Sequence, residues 1–258
     1  MDINLEVCRT IAVQHGLPLQ YVIKEFQLFD VLSQITAYCV SEKKQLVFKG
    51  GTALNKVYIN KGQRFSEDID FDFEVEDSQP FARELAGKIK GYKITTFRKV
   101  RKTTMFCCAY ESPFGQDHIR VDISGKRIVT AKPLQRKSAV SEITHGSVSG
   151  FEVYGLEDLV ARKMHALCTR TEGKDVYDVH SSLSMCKDMG EAITAMLKSE
   201  GKEVTPAEFM GLTIKAVKNA DHKKLRNFTN PFIPIVYRPG DWLELKNDLI
   251  LKLENLRL

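Results

Sequence analysis

The six residues from Asp68 to Phe73 alternate strictly between aspartate and an apolar side chain. Alternation with a period of two predicts a β-strand that is buried on one face only. Side chains at i and i+2 lie on the same face, about 6–7 Å apart along the backbone, so Asp68, Asp70 and Asp72 share one face. Like charges in a row repel one another. The face is therefore either solvated or the site of a cation such as Mg²⁺, which prefers hard oxygen ligands.

Two glycines precede this strand, between a short apolar run and a predicted helix. Leu46–Phe48 indicates a strand, and Thr52–Ile59 has the pattern of a helix that begins at Gly50 and Gly51. Glycines at such a turn let the backbone approach a phosphate, and the N–H groups of the first helical turn favour an anion. A Gly-Gly-Thr turn alone is a weak signal. Because the acidic strand follows about one helix later, the pair indicates phosphoryl or nucleotidyl transfer.

A third acidic position occurs in the alternating segment His118–Ile123, where Asp122 is an isolated carboxylate among apolar neighbours. Transfer that uses two metal ions needs ligands that bring the attacking and leaving oxygens under both ions. Asp122 is therefore a candidate metal ligand or base, with a surface aspartate as the alternative.

The helical pattern that begins at Gly155 has a lysine, Lys163, on its apolar stripe. Such a lysine either extends its ammonium to water or points into a cleft that holds an anion. Beside a triphosphate site we expect the second. Asp175 and Asp178 are three residues apart at the start of the next helix and face the same way. Stabilisation by the helix dipole is a sufficient reason for both carboxylates.

The strings FKGGTALNKVYINKGQRFSEDIDF and DLVARKMHAL…KDVYD, with Asp122 between them, resemble the AbiEii/AbiGii toxin family. That family is related to the mycobacterial MenT toxins and belongs to the DNA polymerase β-type nucleotidyltransferase superfamily. The resemblance runs from about Leu46 to Asp178. It implies a Mg²⁺-dependent enzyme with a nucleoside triphosphate as donor. Several members modify tRNA, and the positive charge with the basic segment 98–102 favours a polyanionic acceptor, so we expect an RNA such as tRNA or, failing that, a protein hydroxyl. The family likeness also implies a cognate antitoxin, in a toxin–antitoxin or phage-defence pair.

The resemblance also implies roles for individual residues. Asp68 and Asp70 match the metal pair, and Asp122 matches the third carboxylate. Lys163 and Asp175 fit the fourth motif, in which Asp178 is an acceptable alternative to Asp175. The positions that match the nucleotide side are Gly50, Gly51, Thr52, Arg64, Ser66 and Lys99. The match assigns no specific role to Arg64 or Ser66, and the motif that contains Lys99 is loose.

The pattern of the chain changes along its length. Residues 1–45 have helical spacing, residues 46–150 mix strands with a few helices, and residues 151–258 predict helices only. Thr205–Glu208 is a capping box with proline at the first helical position, and Asp241 resembles a second helix start. The expected fold class is α+β. It combines an N-terminal helical segment, a mixed-sheet nucleotidyltransferase core and a helical C-terminal domain.

Composition excludes some classes of protein. Hydrophobic residues make up 43% and charged residues 28% of the 258 residues, as in ordinary globular proteins. No apolar run reaches the roughly 20 residues of a transmembrane helix, and the N-terminus lacks a signal-peptide layout, so we expect a cytoplasmic protein. The six cysteines lack the spacing of a zinc or disulfide framework and are expected to be reduced. The net charge of +5 permits contact with nucleic acid without demonstrating it.

Two other functions fit parts of the sequence. A metal-dependent nuclease could use Asp122 with Lys126 and the acidic strand, but it leaves the Gly-Gly-Thr turn unexplained. A catalytically silent nucleotide-binding module could share the fold. It would have little reason to keep Asp68, Asp70 and Asp122 together.

Overall fold

The computed structural model describes residues 3–256 and divides them into two compact units. The first unit comprises residues 3–128 and Gln135–Val153, and the second comprises Val129–Leu134 and residues 154–256. Within residues 3–256, no helix combines the length and the apolar character needed to cross a membrane.

The first unit begins with helices and continues mainly as strands. Its elements, in chain order, are α1 (Leu5–His15), α2 (Leu19–Ser41), β1 (Leu46–Lys49), α3 (Gly50–Ala53), a π-helical turn (Leu54–Tyr58), β2 (Asp68–Phe73), α4 (Gln79–Ala86), β3 (Lys93–Val100), β4 (Thr103–Ser112), β5 (Gly115–Gly125), β6 (Gln135–Val140) and β7 (Ser147–Val153).

The seven strands form one mixed sheet in the order β3-β4-β5-β2-β1-β7-β6. The acidic strand β2 lies between β1, to which it is antiparallel, and β5, to which it is parallel. Strand β1 also pairs in parallel with β7. The α+β class and the mixed sheet expected from the sequence are thereby confirmed.

Helix α2 packs across one face of this sheet. Its side chains Leu32 and Ile35 are buried, as are Phe48 and Phe71 of the strands. The rings of Phe48 and Phe71 lie 5.5 Å apart between centroids, and Ile35 lines the same cavity as Phe71. Because side chains alternate along a strand, the aspartates of β2 point to the opposite face of the sheet.

Some elements differ from the sequence expectation. The helix after the glycines begins at Gly50, within the expected turn, but after Ala53 it becomes the π-helical turn. Strands β6 and β7 were not expected. Strand β6 is polar and mostly exposed, so it shows no apolar alternation by which a sequence pattern could reveal it.

The second unit is helical. Its helices are α5 (Leu156–Arg170), α6 (Gly173–Leu183), α7 (Gly190–Ser199), α8 (Pro206–Asn219), α9 (His222–Thr229) and α10 (Trp242–Glu254).

Helices α5 and α10 organise the core of this unit. Helix α5 packs on α6, α7 and α8, and α10 packs on α6, α8 and α9. Trp242 is buried, and its indole N–H donates to Oδ1 of Asn230 at 2.8 Å. The capping box at Thr205 is confirmed. Asp241 also caps its helix, because its side chain accepts the N–H of Leu243. The helical C-terminal region is therefore confirmed.

Candidate active site

The register of the sheet places Asp70 and Asp122 side by side. They are Cα partners in the parallel pair of β2 and β5, and Lys49 of β1 is the partner of Asp70 on its other side. Directly opposite residues in neighbouring strands point to the same face. Asp68 is paired in the same way with Arg120 of β5. The structure therefore brings Asp68, Asp70 and Asp122 together on the face away from α2.

The third aspartate of β2 is different from the other two. Asp72 is fully buried, with Nζ of Lys49 2.5 Å from its Oδ1 and Nζ of Lys126 3.9 Å from its Oδ2. Lys49 also donates to Oγ of Ser124 at 3.1 Å. Asp68 and Asp70 are only partly buried. On this strand, the two partly exposed carboxylates are the two that the family resemblance assigned to the metal pair.

Gly50 lies directly against Asp70. Its φ of +77° is in the left-handed region, and a Cβ at this position would come 2.3 Å from Oδ2 of Asp70. The hydroxyl of Thr52 donates to the carbonyl oxygen of Asp68 at 2.5 Å, while the side-chain amide of Asn55 donates to the carbonyl of Gly51 at 2.9 Å. The Gly-Gly-Thr turn is thus in direct contact with the acidic strand, as a site for a phosphate chain beside a metal ion requires.

Asp122 has an electrostatic environment suited to a cation. Burial raises the pKa of Asp122 to about 6, with a further contribution from Asp70 that the guanidinium of Arg120 only partly offsets. Among the residues described, Oδ1 of Asp122 is a buried atom without a hydrogen-bond partner. Unsatisfied buried carboxylate oxygens are uncommon in folded proteins, and carboxylates are the ligands that Mg²⁺ prefers. The donor set therefore fits a divalent cation.

Arg120 lies among these carboxylates. Its Nη2 is 2.5 Å from Oδ2 of Asp68, and its Nε is 3.5 Å from Oδ1 of Asp122. Within residues 3–256, no three acidic, histidine or cysteine side chains converge as a set of metal ligands. Asp68 and Asp122 are turned towards the guanidinium instead. The positive charge that lies on the carboxylate face in this structure is therefore the guanidinium of Arg120 itself.

Arg64 and Ser66 are buried in the segment that leads into β2. The backbone N–H of Arg64 donates to Oδ1 of Asn55 at 3.1 Å, and its Nη1 donates to the carbonyl of Phe65 at 2.9 Å. Oγ of Ser66 is buried without a hydrogen-bond partner among the residues described. The contacts of Arg64 shape the backbone of this segment. Contact of either residue with a nucleotide stays a prediction.

The structure does not bring Lys99 to the carboxylates. Lys99 is paired with Thr104, which is paired with Ile123, and Ile123 is paired with Phe71. This row of partners points to the apolar face, and Nζ of Lys99 lies 2.9 Å from Oδ1 of Asp77. The geometry therefore gives no support to a nucleotide contact through Lys99.

Sequence reasoning missed two basic residues of the site, Lys49 and Arg120. A lysine at the end of a strand is too common to single out, and its ion pair with Asp72 depends on the pairing of β1 with β2. Arg120 did leave a signal, because it stands two residues before Asp122 in an alternating segment. That spacing places both side chains on one face. A basic and an acidic residue at i and i+2 of a strand therefore indicate a shared charged face, as the aspartates of β2 do.

In the second unit, Lys163 is buried between two aspartates. Its Nζ lies 2.7 Å from Oδ1 of Asp175 and 2.9 Å from Oδ2 of Asp178. Arg170 adds two hydrogen bonds to Asp175, at 2.8 and 3.0 Å. Burial alone would raise the pKa of Asp175, but the bonds from Arg170 and the charge of Lys163 outweigh it and lower that pKa. The lysine and both aspartates of the fourth motif thus form one buried ionic cluster.

The fold is similar to that of two solved proteins. One is the MenT4 nucleotidyltransferase toxin of Mycobacterium tuberculosis, at 17% identity and a TM-score of 0.64, over 99% of this chain and 91% of that one. The other is JHP933 of Helicobacter pylori, at 18% identity and a TM-score of 0.53, over 92% of both chains. At such low identity the likeness concerns the fold. A search of the curated proteins gave no match.

The sequence itself carries the family assignment. The family model described as nucleotidyl transferase AbiEii toxin, of a type IV toxin–antitoxin system, matches residues 31–244. The matched region contains both carboxylate strands, the Gly-Gly-Thr turn and the buried cluster around Lys163. This chain therefore belongs to the AbiEii nucleotidyltransferase toxin family and is a nucleotidyltransferase.

Proposed function

We propose that this enzyme transfers a nucleoside monophosphate from a nucleoside triphosphate to a hydroxyl group of RNA, and that tRNA is the first acceptor to test. A protein hydroxyl is the second. The observation that carries the proposal is the shared face of Asp68, Asp70 and Asp122, in contact with the Gly-Gly-Thr turn through Gly50.

In this proposal Asp68, Asp70 and Asp122 hold Mg²⁺. The ion would neutralise charge on the triphosphate and lower the pKa of the attacking hydroxyl. The backbone at Gly50 and Gly51 lets the phosphate chain approach the carboxylates. The acceptor hydroxyl gives up its proton to solvent as its oxygen forms a bond to the α-phosphorus. The bond from that phosphorus to the bridging oxygen breaks, and pyrophosphate leaves with the electron pair.

Lys163 and Asp175 enter the proposal through the fourth motif of the family. Their ion pair, with Asp178 as a second partner, indicates that they act by positioning. A buried, fully paired cluster of this kind fixes the helices that carry it, because separating its members would leave charges unpaired in the interior.

An RNA acceptor is supported by the charge of the chain and by one basic residue of the sheet. Arg98 is paired with Met105, which is paired with Asp122, so Arg98 stands on the carboxylate face. It is exposed. Polyanions are held mainly through phosphate contacts of this kind. The family also supports a cognate antitoxin as partner, and a tRNA acceptor would place the reaction in the cytoplasm.

The test uses purified enzyme, Mg²⁺, total cellular RNA and each of the four α-labelled triphosphates in separate reactions. We expect label in RNA with at least one triphosphate and none with the variant Asp68→Ala/Asp70→Ala. The control Arg136→Gln, on edge strand β6, should label RNA like the wild type. If RNA is cut without triphosphate and Asp122→Ala abolishes the cutting, the protein is a nuclease. If triphosphate binds but neither RNA nor protein takes label, it is a silent binding module.

A further inference from the structure

The guanidinium of Arg120 and a metal ion would compete for the same oxygen atoms. Arg120 already contacts Asp68 and Asp122, at 2.5 and 3.5 Å. Its positive charge also interacts with Asp70, and together the three carboxylates raise the pKa of Arg120 against the opposing effect of burial. All three residues proposed to hold Mg²⁺ therefore have Arg120 as a shared counter-ion.

Binding of a metal ion and of the Arg120 guanidinium to the same carboxylate oxygens at the same time is unfavourable, for a geometric and an electrostatic reason. Mg²⁺ requires oxygen ligands at about 2.0–2.1 Å in near-octahedral geometry. A guanidinium nitrogen at hydrogen-bond distance from the same carboxylate would then lie within a few ångströms of the ion, with like charge. Arg120 must therefore move when a metal ion binds, and its 41% exposed side chain leaves it room to do so.

The displaced guanidinium would remain close to the site. Its Cα is fixed in β5 as the partner of Asp68, so the side chain stays over the carboxylate face. A planar guanidinium matches the oxygens of a phosphate with two parallel hydrogen bonds. The ligand chemistry that would satisfy it after metal binding is the phosphate chain of a nucleotide.

We propose that Arg120 is an exchangeable counter-ion, an inference that rests on the proposed function. It neutralises Asp68, Asp70 and Asp122 until a divalent cation binds them, and it then binds a phosphate of the nucleoside triphosphate. Metal binding and triphosphate binding would thereby be coupled through one side chain, since the metal releases the group that the triphosphate uses.

The experiment measures Mn²⁺ binding to the wild type, Arg120→Gln and Arg120→Lys, without nucleotide, by electron paramagnetic resonance. Arg120→Gln should bind Mn²⁺ about three- to tenfold more tightly than the wild type, because the competing charge is gone. Arg120→Lys keeps the charge and should stay near the wild type. At saturating Mn²⁺, calorimetry with ATP and GTP should show about tenfold weaker binding of the preferred triphosphate to Arg120→Gln. Arg136→Gln is the matched control, since Arg136 also faces a carboxylate, with its Nε 4.0 Å from Glu152.

Failure of this inference and failure of the proposed metal site give different results. If Asp70→Asn weakens Mn²⁺ binding but Arg120→Gln leaves it unchanged, the metal site stands and the exchange is wrong. If neither the wild type nor Arg120→Gln binds Mn²⁺, both the metal site and the exchange are wrong. If Arg120→Gln alone binds Mn²⁺ measurably, the competition is supported in its strongest form. Thermal unfolding confirms that each variant is folded. Should the glutamine variant fail to fold, Arg120→Met, which also removes the competing charge, takes its place in the Mn²⁺ and triphosphate measurements.

Discussion

Nζ of Lys49 lies 2.5 Å from Oδ1 of Asp72, and this carboxylate is fully buried. Asp70, two residues earlier on the same strand, is partly exposed and lies against Gly50. Two chemically identical side chains on one face of β2 therefore have different surroundings. One is the internal partner of a lysine, and the other is available to a ligand.

This difference predicts opposite effects for the same substitution. Asp72→Asn breaks a buried ion pair and should lower the free energy of unfolding by about 3 kcal/mol. Asp70→Asn removes one of several repelling carboxylates, so stability without metal should be unchanged or slightly higher, while transfer is lost. Urea unfolding and the labelling assay measure the two effects. Equal stability of both variants would contradict the division of the aspartates.

A second prediction concerns the contact between Gly50 and Asp70. Gly50→Ala places a Cβ against the carboxylate at a left-handed φ, so it should destabilise the protein by about 1–3 kcal/mol and abolish transfer. Gly115→Ala is the matched control, because Gly115 has a φ of +95° with no atom within 4 Å of the added Cβ. Gly115→Ala should lower the free energy of unfolding through backbone strain alone and should keep wild-type transfer activity. Wild-type transfer by Gly50→Ala would show that the close approach is dispensable.

A third prediction concerns Lys163. Lys163→Met leaves Asp175 and Asp178 buried without their shared cation, so we expect a loss of about 3–5 kcal/mol in the free energy of unfolding. The single tryptophan, Trp242, lies in the second unit, and its fluorescence reports unfolding there. Lys218→Met is the control: it removes an exposed pair with Glu254 and should cost less than about 1 kcal/mol. A stable Lys163→Met with weaker triphosphate binding would instead favour direct phosphate contact.

A fourth prediction follows from the lowered pKa of Asp175. A carboxyl group whose pKa is lower in the folded state stabilises the fold above its unfolded pKa of about 3.9, and this contribution is lost as the pH falls through the folded pKa. The stability difference between the wild type and Asp175→Asn should therefore be largest near about pH 7 and shrink below about pH 4. Urea midpoints of both proteins across this range measure it. A difference that is constant with pH would contradict the assignment.

The sequence predicted the parts of the fold and site that depend on local patterns. The alternation of Asp68–Phe73 predicted β2 and the shared face of its aspartates, and the capping signals predicted the starts of α8 and α10. What it could not predict depends on pairing between distant segments. The ion pair between Lys49 and buried Asp72 can be predicted only if the register of β1 with β2 is known. The position of Arg120 beside Asp68 can be predicted only from the register of β5 with β2.

The path of the chain between the two units has a consequence for modularity. The chain passes from the first unit to the second after Ile128, returns at Gln135 and crosses again after Val153. The short excursion contributes to the second unit, since the N–H of Ala131 donates to Oδ1 of buried Asp158 at 3.0 Å and the carbonyl of Val129 accepts from Arg162 at 2.8 Å. A gene fragment that begins at Tyr154 would encode the six helices α5–α10 of the second unit but not the segment that makes these contacts. Neither unit is therefore one continuous stretch of the chain. Recombination at a single junction would not replace either unit as a whole.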